Sequence, residues 1–298
     1  MIRTLDLATP DRVLRKVELW VGRRLEGVGP GAHRSLRLGE GVELADIREY
    51  VPGDDVRAID WSVTARTGVP HVRIYEADRE ANIFFVIDRS ASMSFGTAAR
   101  TKEQLLREVV AAVSVLVLRR GNRLGALLFA EQRLAGLPPS WGRRAALRLL
   151  RTIEETAPAE RVGGRLDLAL DEAVRVVRRR SVVVVVSDWL DTAKWEAPLG
   201  RLSSRHEVIG VEIRDPREQT IPEVGPLILE DPETGRQLEV DTSRPDLRER
   251  FAEAAAAQRA RRAEAIAAAG AAHLVVSTDR EWLDDLLRFL THRRRRRR

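Results

Sequence analysis

The stretch NIFFVIDRSAS, residues 82–92, decides the fold class of this chain. Its first part, NIFFVID, is an apolar run that ends in the carboxylate of Asp88. Such a run is typical of a central parallel strand that is buried on both faces of its sheet. The run VVVVVSD at residues 182–188 has the same pattern and ends at Asp188. Because crossover helices cover both faces of a parallel sheet, the two runs predict an α/β fold.

Helical and strand patterns alternate along the rest of the chain. Helices are predicted at residues 101–120, 141–155, 166–179 and 244–269 and from Glu281 onward, and strands at 123–130, 132–139, 206–215 and 273–279. The segment LILEDPETGRQLEVD, residues 227–241, has turn residues at its centre and predicts a β-hairpin. The alternation predicts a doubly wound open α/β sheet of the Rossmann type, whose ligand crevice lies at the carboxyl ends of the strands.

The composition is that of a soluble globular protein, and it excludes several kinds of site. The 298 residues are 44% hydrophobic and 32% charged, and none is a cysteine. The lack of cysteine excludes disulfides, a thiolate nucleophile and iron–sulfur clusters, and the five histidines are scattered without the spacing of zinc ligands. No G-x-x-x-x-G-K-[ST] pattern occurs, so we expect no nucleotide hydrolysis. We find no signal peptide and no long apolar run, and expect a cytoplasmic protein with no membrane span.

Arginine dominates the basic residues. The formal net charge is +6, and the sequence finishes with six arginines, Arg293–Arg298. We expect residues 291–298 to be a disordered tail that attracts any polyanion through counterion release. This gives an alternative function, polyanion or nucleic-acid binding through the tail without specificity for a nucleic-acid sequence. Only three of the 51 basic residues are lysines, namely Lys16, Lys102 and Lys194.

The N-terminal region predicts a basic amphipathic helix at residues 11–25. Apolar side chains recur at helical spacing from Val13 to Leu25, and arginines occupy other positions of the helix. Such a helix could lie on an acidic membrane surface. Packing against the rest of the protein is the favoured interpretation for a segment of this length in a globular chain.

The loop after the first apolar run carries hard oxygen ligands. Asp88, Ser90 and Ser92 form a D-x-S-x-S pattern at a strand-to-helix turn, and Asp188 is expected at the same edge of the sheet. Oxygen ligands without sulfur or imidazole suit Mg²⁺ or another divalent cation. We therefore predict a metal site formed by Asp88, Ser90, Ser92 and Asp188. The alternative, in which these groups cap the following helix, stays open.

This pattern resembles the metal-ion-dependent adhesion site of von Willebrand factor A-like domains. The resemblance implies that both serines ligate the metal, that a threonine from a second loop completes the set, and that a partner's acidic side chain takes the open position. In the segment GGRLDLAL, Arg165 or Leu166 stands where that threonine is expected. Arg165 could replace the divalent ion as countercharge and give a metal-free site, or Asp167 could supply the missing oxygen. A metal-bound and a metal-free site both stay open.

The segment upstream resembles the signature of the bacterial family called domain of unknown function 58. The match comprises Arg34 and Ser35, Gly39 and Gly41, the run R-x-Y-x-x-G-D-D-x-R-x-I-D-W at residues 48–61, and Ala65 with Arg66. The resemblance implies an N-terminal helix and signature segment at residues 1–80, packed on a von Willebrand factor A-like domain at residues 81–290. It also implies a non-enzymatic adaptor or co-chaperone that presents clients to a MoxR-type AAA+ ATPase.

The signature segment concentrates charged side chains of both signs. Its acids are Glu43, Asp54, Asp55 and Asp60, and its bases include Arg48, Arg57 and Arg66. The segment has enough arginines to pair with these acids, and it contains no pair of a nucleophile and a base. An ionic network that fixes an irregular loop is therefore favoured over a hydrolytic site.

Overall fold

The structure is a computed structural model in which the chain forms two compact units. It describes residues 9–26, 44–75, 82–97, 100–118, 121–130, 133–156, 165–191, 194–230 and 236–297. Residues 39–81 form the smaller unit, and the rest of the chain forms the larger one. Glu43 and the start of the signature, residues 34–41, lie outside the described residues.

Most regular elements follow the predicted alternation of strands and helices, but the helix Glu196–Arg205 was not predicted. The strands are β1 (Leu44–Glu49), β2 (His71–Tyr75), β3 (Asn82–Asp88), β4 (Arg123–Ala130), β5 (Arg133–Ser140), β6 (Ser181–Ser187), β7 (Glu207–Arg214), β8 (Pro226–Glu230), β9 (Gln237–Asp241) and β10 (Ala272–Ser277). The helices are α1 (Pro10–Glu26), α2 (Trp61–Thr67), α3 (Lys102–Leu118), α4 (Gly142–Glu155), α5 (Leu166–Val176), α6 (Glu196–Arg205), α7 (Pro245–Ala268) and α8 (Trp282–Arg297).

A six-stranded sheet in the order β10-β7-β6-β3-β4-β5 forms the centre of the larger unit. Neighbouring strands are parallel except for β5, which runs antiparallel to β4 at one edge. Pro138 and Pro139 are tolerated in β5 because an edge strand leaves one side without a partner. The chain builds β3, β4 and β5 toward one edge and then returns to the other side of β3 with β6, β7 and β10. This is the doubly wound order, and the predicted fold class is confirmed.

The core lies on both faces of the sheet because the central strands are apolar throughout. Alternate residues of a strand point to opposite faces, and β3 buries consecutive side chains such as Phe84 and Phe85. On one face, Phe84 and Val183 belong to a cluster that includes Leu170 of α5 and Leu199 of α6. The apolar runs that predicted the strands are therefore the residues that fix them between helices.

Helix α1 packs within the larger unit. Val13, Leu14, Val17 and Val21 of its apolar face are buried. Trp20 of α1 makes an edge-to-face contact with Trp282 of α8, at 5.5 Å between ring centroids. The interpretation of this helix as one packed on its own protein is confirmed.

The C-terminal part differs from the sequence prediction at the tail. Helix α8 continues to Arg297, whereas a disordered tail was expected from residue 291. Arginine is a good helix former, and positive charge is favourable at the C-terminal end of a helix, so the preceding helix can extend into the arginines. The strands of the predicted hairpin are present as β8 and β9, and its turn lies outside the described residues. Within the described ranges, no helix combines the length and apolar character that crossing a membrane requires.

The described part of the smaller unit contains the antiparallel strands β1 and β2, a 3-10 turn at Val56–Ala58 and the short helix α2. Its carboxylates form ion pairs with arginines and cap the start of a helix. Asp54 accepts two hydrogen bonds of 2.7 Å from Arg48. Asp60 accepts from two backbone N–H groups at the start of α2 and pairs with Arg73 at 2.9 Å. These hydrogen bonds hold the pKa of Asp54 and of Asp60 below its usual value. The arrangement agrees with the predicted ionic network, although Asp60 pairs with Arg73, which the prediction did not include.

Candidate functional site

The carboxyl ends of β3 and β6 bring the two strand-terminal aspartates to one place. β3 and β6 are parallel neighbours at the centre of the sheet, with Ile87 opposite Val186. Asp88 is the last residue of β3, and Asp188 follows directly after β6. The chain leaves these two strands toward opposite edges of the sheet. This is the switch point, where doubly wound sheets bind their ligands.

Hydrogen bonds join the four predicted site residues into one buried cluster. The Ser187 hydroxyl donates to Asp88 Oδ2 at 2.6 Å, and the Ser90 backbone N–H donates to Asp88 Oδ1 at 2.8 Å. The hydroxyls of Ser90 and Ser92 lie 3.0 Å apart, and Ser92 also hydrogen-bonds to Asp188. Asp88, Ser90, Ser92 and Asp188 are thus brought together as the sequence predicted, and all four are buried.

The two aspartates differ in their affinity for a proton. Burial, together with the negative charge of Asp188, raises the pKa of Asp88 to about 7. Burial acts on Asp188 in the same direction, but the charge and the hydrogen bond of Lys102 outweigh it and lower the pKa of Asp188. Asp188 is therefore the ionised member of the pair at neutral pH.

Lys102, the first residue of α3, supplies the positive charge of this cluster. Its side chain is fully buried, and its ammonium donates to Asp188 Oδ2 at 2.7 Å and to Glu218 Oε1. Burial alone lowers the pKa of Lys102, but the charges of Asp188 and Glu218 outweigh burial and raise it. The lysine therefore stays protonated. Glu218 lies in a short turn after β7, where its other oxygen accepts from the Asp215 backbone N–H at 3.0 Å.

Arg165 is engaged elsewhere. Its guanidinium pairs with the carboxylate of Asp167 through two contacts of 3.0 Å, and its side chain is 43% exposed. The neighbouring Leu166 backbone N–H donates to Asp191 at 2.7 Å. The structure thus gives the countercharge role to Lys102, and the expectation for Arg165 is wrong. Asp167, two residues away, offers Arg165 a closer, bidentate carboxylate.

The backbone just after Asp188 adopts an uncommon conformation. Trp189 has a φ of 58°, in the left-handed region that bulky residues rarely adopt. Its indole N–H donates to the Val211 carbonyl at 3.1 Å, and its ring packs edge to face on Trp195 at 5.0 Å. Its backbone N–H donates to the Ser187 hydroxyl at 2.9 Å. Packing therefore holds a strained turn that fixes Asp188, and such strain is concentrated at functional sites.

The family to which the chain belongs is shown by its sequence matches. Residues 46–261 match the family model described as "Protein of unknown function DUF58". The chain belongs to the DUF58 family. It is 45% identical over 286 residues to the Mycobacterium tuberculosis protein described as "Uncharacterized protein Rv1480", a match that covers 95% of this chain and 89% of that protein.

Two solved structures are similar to this DUF58 protein at low sequence identity. One is the crystal structure of the conserved hypothetical protein BatB from Bacteroides thetaiotaomicron, with a TM-score of 0.44, 13% identity, and coverage of 73% of this chain and 100% of that one. The other is a von Willebrand factor type A structure from Catenulispora acidiphila, with a TM-score of 0.39, 12% identity, and coverage of 72% and 42%.

The cluster of this DUF58 protein does not fit a divalent metal while Lys102 contacts Asp188. Mg²⁺ requires near-octahedral oxygen ligands, but the Lys102 ammonium already lies 2.7 Å from Asp188 Oδ2, at the place that a metal bound to this oxygen would take. An ammonium beside Asp188 would also repel a metal bound there. In the part of the chain that the structure describes, no group of three or more His, Cys, Asp or Glu side chains is arranged for a metal.

Sequence reasoning missed Lys102 and Glu218. A signal for Lys102 was present, because it is one of three lysines in an arginine-rich chain and begins the helix that follows D-x-S-x-S. A compact ammonium differs from the wide, planar guanidinium of arginine, so the choice of lysine has a physical meaning. Glu218 gives no such signal, because it stands 116 residues from Lys102 along the chain.

Proposed function

We propose that this chain is a non-enzymatic protein–protein interaction module that acts as an adaptor or co-chaperone for a MoxR-type AAA+ ATPase and presents clients to it. The observation that carries the proposal is the charged cluster of Asp88, Asp188, Lys102 and Glu218 at the switch point of the sheet. Switch points are where doubly wound sheets bind ligands. The described side chains of this cluster offer charge for recognition, and the hydroxyls that hydrogen-bond to its aspartates, those of Ser187 and Ser92, are themselves buried.

The choice of partner rests on the resemblance of the signature segment to the DUF58 family. That resemblance implies a function beside a MoxR-type AAA+ ATPase, and the signature run at residues 48–61 is the most specific motif of the chain. In this proposal a partner's acidic side chain is the group recognised at the strand ends. The positive charge of Lys102 is the chemical reason for that choice.

An exposed aromatic ring marks the rim of the cluster. The Phe95 ring lies 5.9 Å from the Lys102 ammonium, and Phe95 is 39% exposed. Trp141 is a second exposed ring, at the other end of the sheet, and serves as the control for Phe95. It is 53% exposed and packs on Arg123 at the start of β4. Aromatic residues are enriched among the residues that dominate binding energy at interfaces. The two rings therefore allow the two ends of the sheet to be compared.

The test measures the affinity of the full chain for a purified MoxR-type ATPase by biolayer interferometry. We expect Phe95→Ala to weaken binding about tenfold, and Trp141→Ala to change it by less than about twofold. Equal effects of the two substitutions, or no binding by the unaltered chain, would contradict the proposal. Deleting Arg293–Arg298 should leave the affinity unchanged, and a loss of binding on that deletion would favour the polyanion alternative.

A further inference from the structure

Lys102 lies between an inner and an outer carboxylate. The Asp188 side chain is 3% exposed and the Glu218 side chain is 22% exposed. Both accept hydrogen bonds from the same ammonium. The inner carboxylate is fixed by the strand end, whereas the outer one reaches solvent and belongs to a surface turn. The ammonium can therefore exchange its outer partner without exposing the inner one.

The position of Lys102 is not explained by the stability of its own helix. The N-terminal end of a helix favours negative charge, and Lys102 is the first residue of α3. A buried ammonium is also costly unless it is paired. Its two carboxylate partners compensate both effects, so the three residues form a unit. Lysine stands here although the chain uses arginine at nearly all basic positions.

The turn that carries Glu218 is anchored to the loop of the D-x-S-x-S pattern. Asp215, which begins the turn, accepts from the Thr97 backbone N–H at 2.9 Å and from the Thr278 hydroxyl at 2.8 Å. Thr97 lies in the loop between Ser92 and Lys102. The turn therefore holds the Glu218 carboxylate at the outer side of the ammonium, where an approaching acidic group would meet it.

We propose that Lys102 is the resident cation of this site and that Glu218 occupies the place of a partner's carboxylate, so that an acidic side chain binds by exchanging with Glu218 and no divalent metal takes part. The identity of the partner rests on the proposed function, whereas the metal-free exchange rests on the contacts of Lys102 alone.

One experiment tests the resident cation. Isothermal titration calorimetry of the full chain with MnCl₂ and with MgCl₂ should show no uptake at the cluster at millimolar metal. Uptake of one ion per chain that Asp88→Ala abolishes would overturn the proposal. Uptake that Asp88→Ala leaves intact lies elsewhere on the chain and agrees with it.

A second experiment tests the exchange, with a labelled peptide that carries a single glutamate as the probe and fluorescence anisotropy as the readout, because a polyglutamate would also bind the arginines at residues 293–298. We expect Glu218→Gln to bind the peptide about tenfold more tightly than the unaltered chain, because the outer position loses its resident charge. Glu223→Gln is the matched control. It removes the same charge from an exposed carboxylate that pairs with Arg248 at 3.2 Å, and it should change the affinity by less than about twofold.

The controls separate this proposal from the wider function. Adding Lys102→Met to Glu218→Gln should abolish the gain in peptide binding, with folding checked by circular dichroism. If that double variant does not fold, the comparison of Glu218→Gln with Glu223→Gln decides alone, and equal affinities would overturn the exchange. A gain for Glu218→Gln without binding of the ATPase would contradict the proposed partner only. Binding of the ATPase with metal uptake at Asp88 would contradict the metal-free site only.

Discussion

The buried carboxylate of Glu212 on β7 should make the stability of the larger unit depend on pH in a defined window. Glu212 is fully buried. It accepts two hydrogen bonds of 2.8 Å from Arg214, contacts His273 Nε2 at 2.8 Å and pairs with Arg262. Burial alone raises the pKa of Glu212, but the hydrogen bonds from His273 and Arg214 and the charge of Arg262 outweigh burial and lower it to about 2.

The size of the effect follows from that pKa. Relative to the ordinary value of 4.5, a folded-state pKa of about 2 corresponds to roughly 3 kcal/mol of stability. Because the folded-state pKa is lowered, this stability is present above pH 4.5 and is lost as the pH falls toward 2. Proton linkage leaves about 1 kcal/mol of it at pH 3, so about 2 kcal/mol disappears between pH 5 and pH 3.

Glu212→Gln isolates this contribution because the amide does not titrate. Urea unfolding, followed by tryptophan fluorescence, to which the buried Trp189, Trp195 and Trp282 contribute, gives the free energy of unfolding at pH 5 and at pH 3. The unaltered chain should be more stable than the variant at pH 5, and the difference should shrink by about 2 kcal/mol at pH 3. The exposed Glu239→Gln should show a difference within about 0.5 kcal/mol at both pH values. A difference for Glu212→Gln that is the same at both pH values would refute this reasoning.

Two further predictions compare matched substitutions. Gly210→Ala would place a Cβ 2.9 Å from the buried Trp189 ring and should destabilise the chain by about 1–3 kcal/mol in urea unfolding. The added methyl of Gly136→Ala meets nothing within 4 Å, so this control should cost less than about 1 kcal/mol. Equal costs would contradict the close packing of Trp189 on Gly210. Asp60→Ala removes the N-terminal cap of α2 and should speed hydrogen exchange of the amides of residues 61–67 by about tenfold. Asp55→Ala, which breaks an exposed ion pair with Arg57, should leave this exchange unchanged. Unchanged exchange in both variants would show that the stability of α2 does not depend on the cap.

The fold could be predicted because its central strands are apolar on both faces. Before their final aspartates, NIFFVID and VVVVVSD have only Asn82 and Ser187 as polar residues, so burial between helices was the remaining solution. The strand ends followed from the same runs, and the chain direction of parallel strands brought Asp88 and Asp188 to one edge. The two serines could be placed beside Asp88 because Ser90 and Ser92 follow it within four residues of the chain.

The cation of the site could not be predicted in the same way, because it depends on contacts between distant segments. Arg165 was the natural candidate by position in the sequence, but its pairing with Asp167 is local and bidentate. Lys102 meets Asp188 only because α3 begins beside the end of β6, and Glu218 joins them from the turn after β7. Sequence patterns predict the type of each element from its periodicity, but they do not predict which side chains of separate loops contact each other.

Conservation of charge explains why a carboxylate can exchange at this site more readily than a metal can enter it. Replacing Glu218 by a partner's carboxylate leaves the Lys102 ammonium with two negative neighbours, as before. The displaced Glu218 is the outer carboxylate, 22% exposed, and it can turn toward solvent, so the large cost of an unpaired buried ion is avoided. A divalent metal would add two positive charges beside the same ammonium. Recognition of an acidic group therefore follows from the charges already in place, and Glu218 sets how strongly that group must compete.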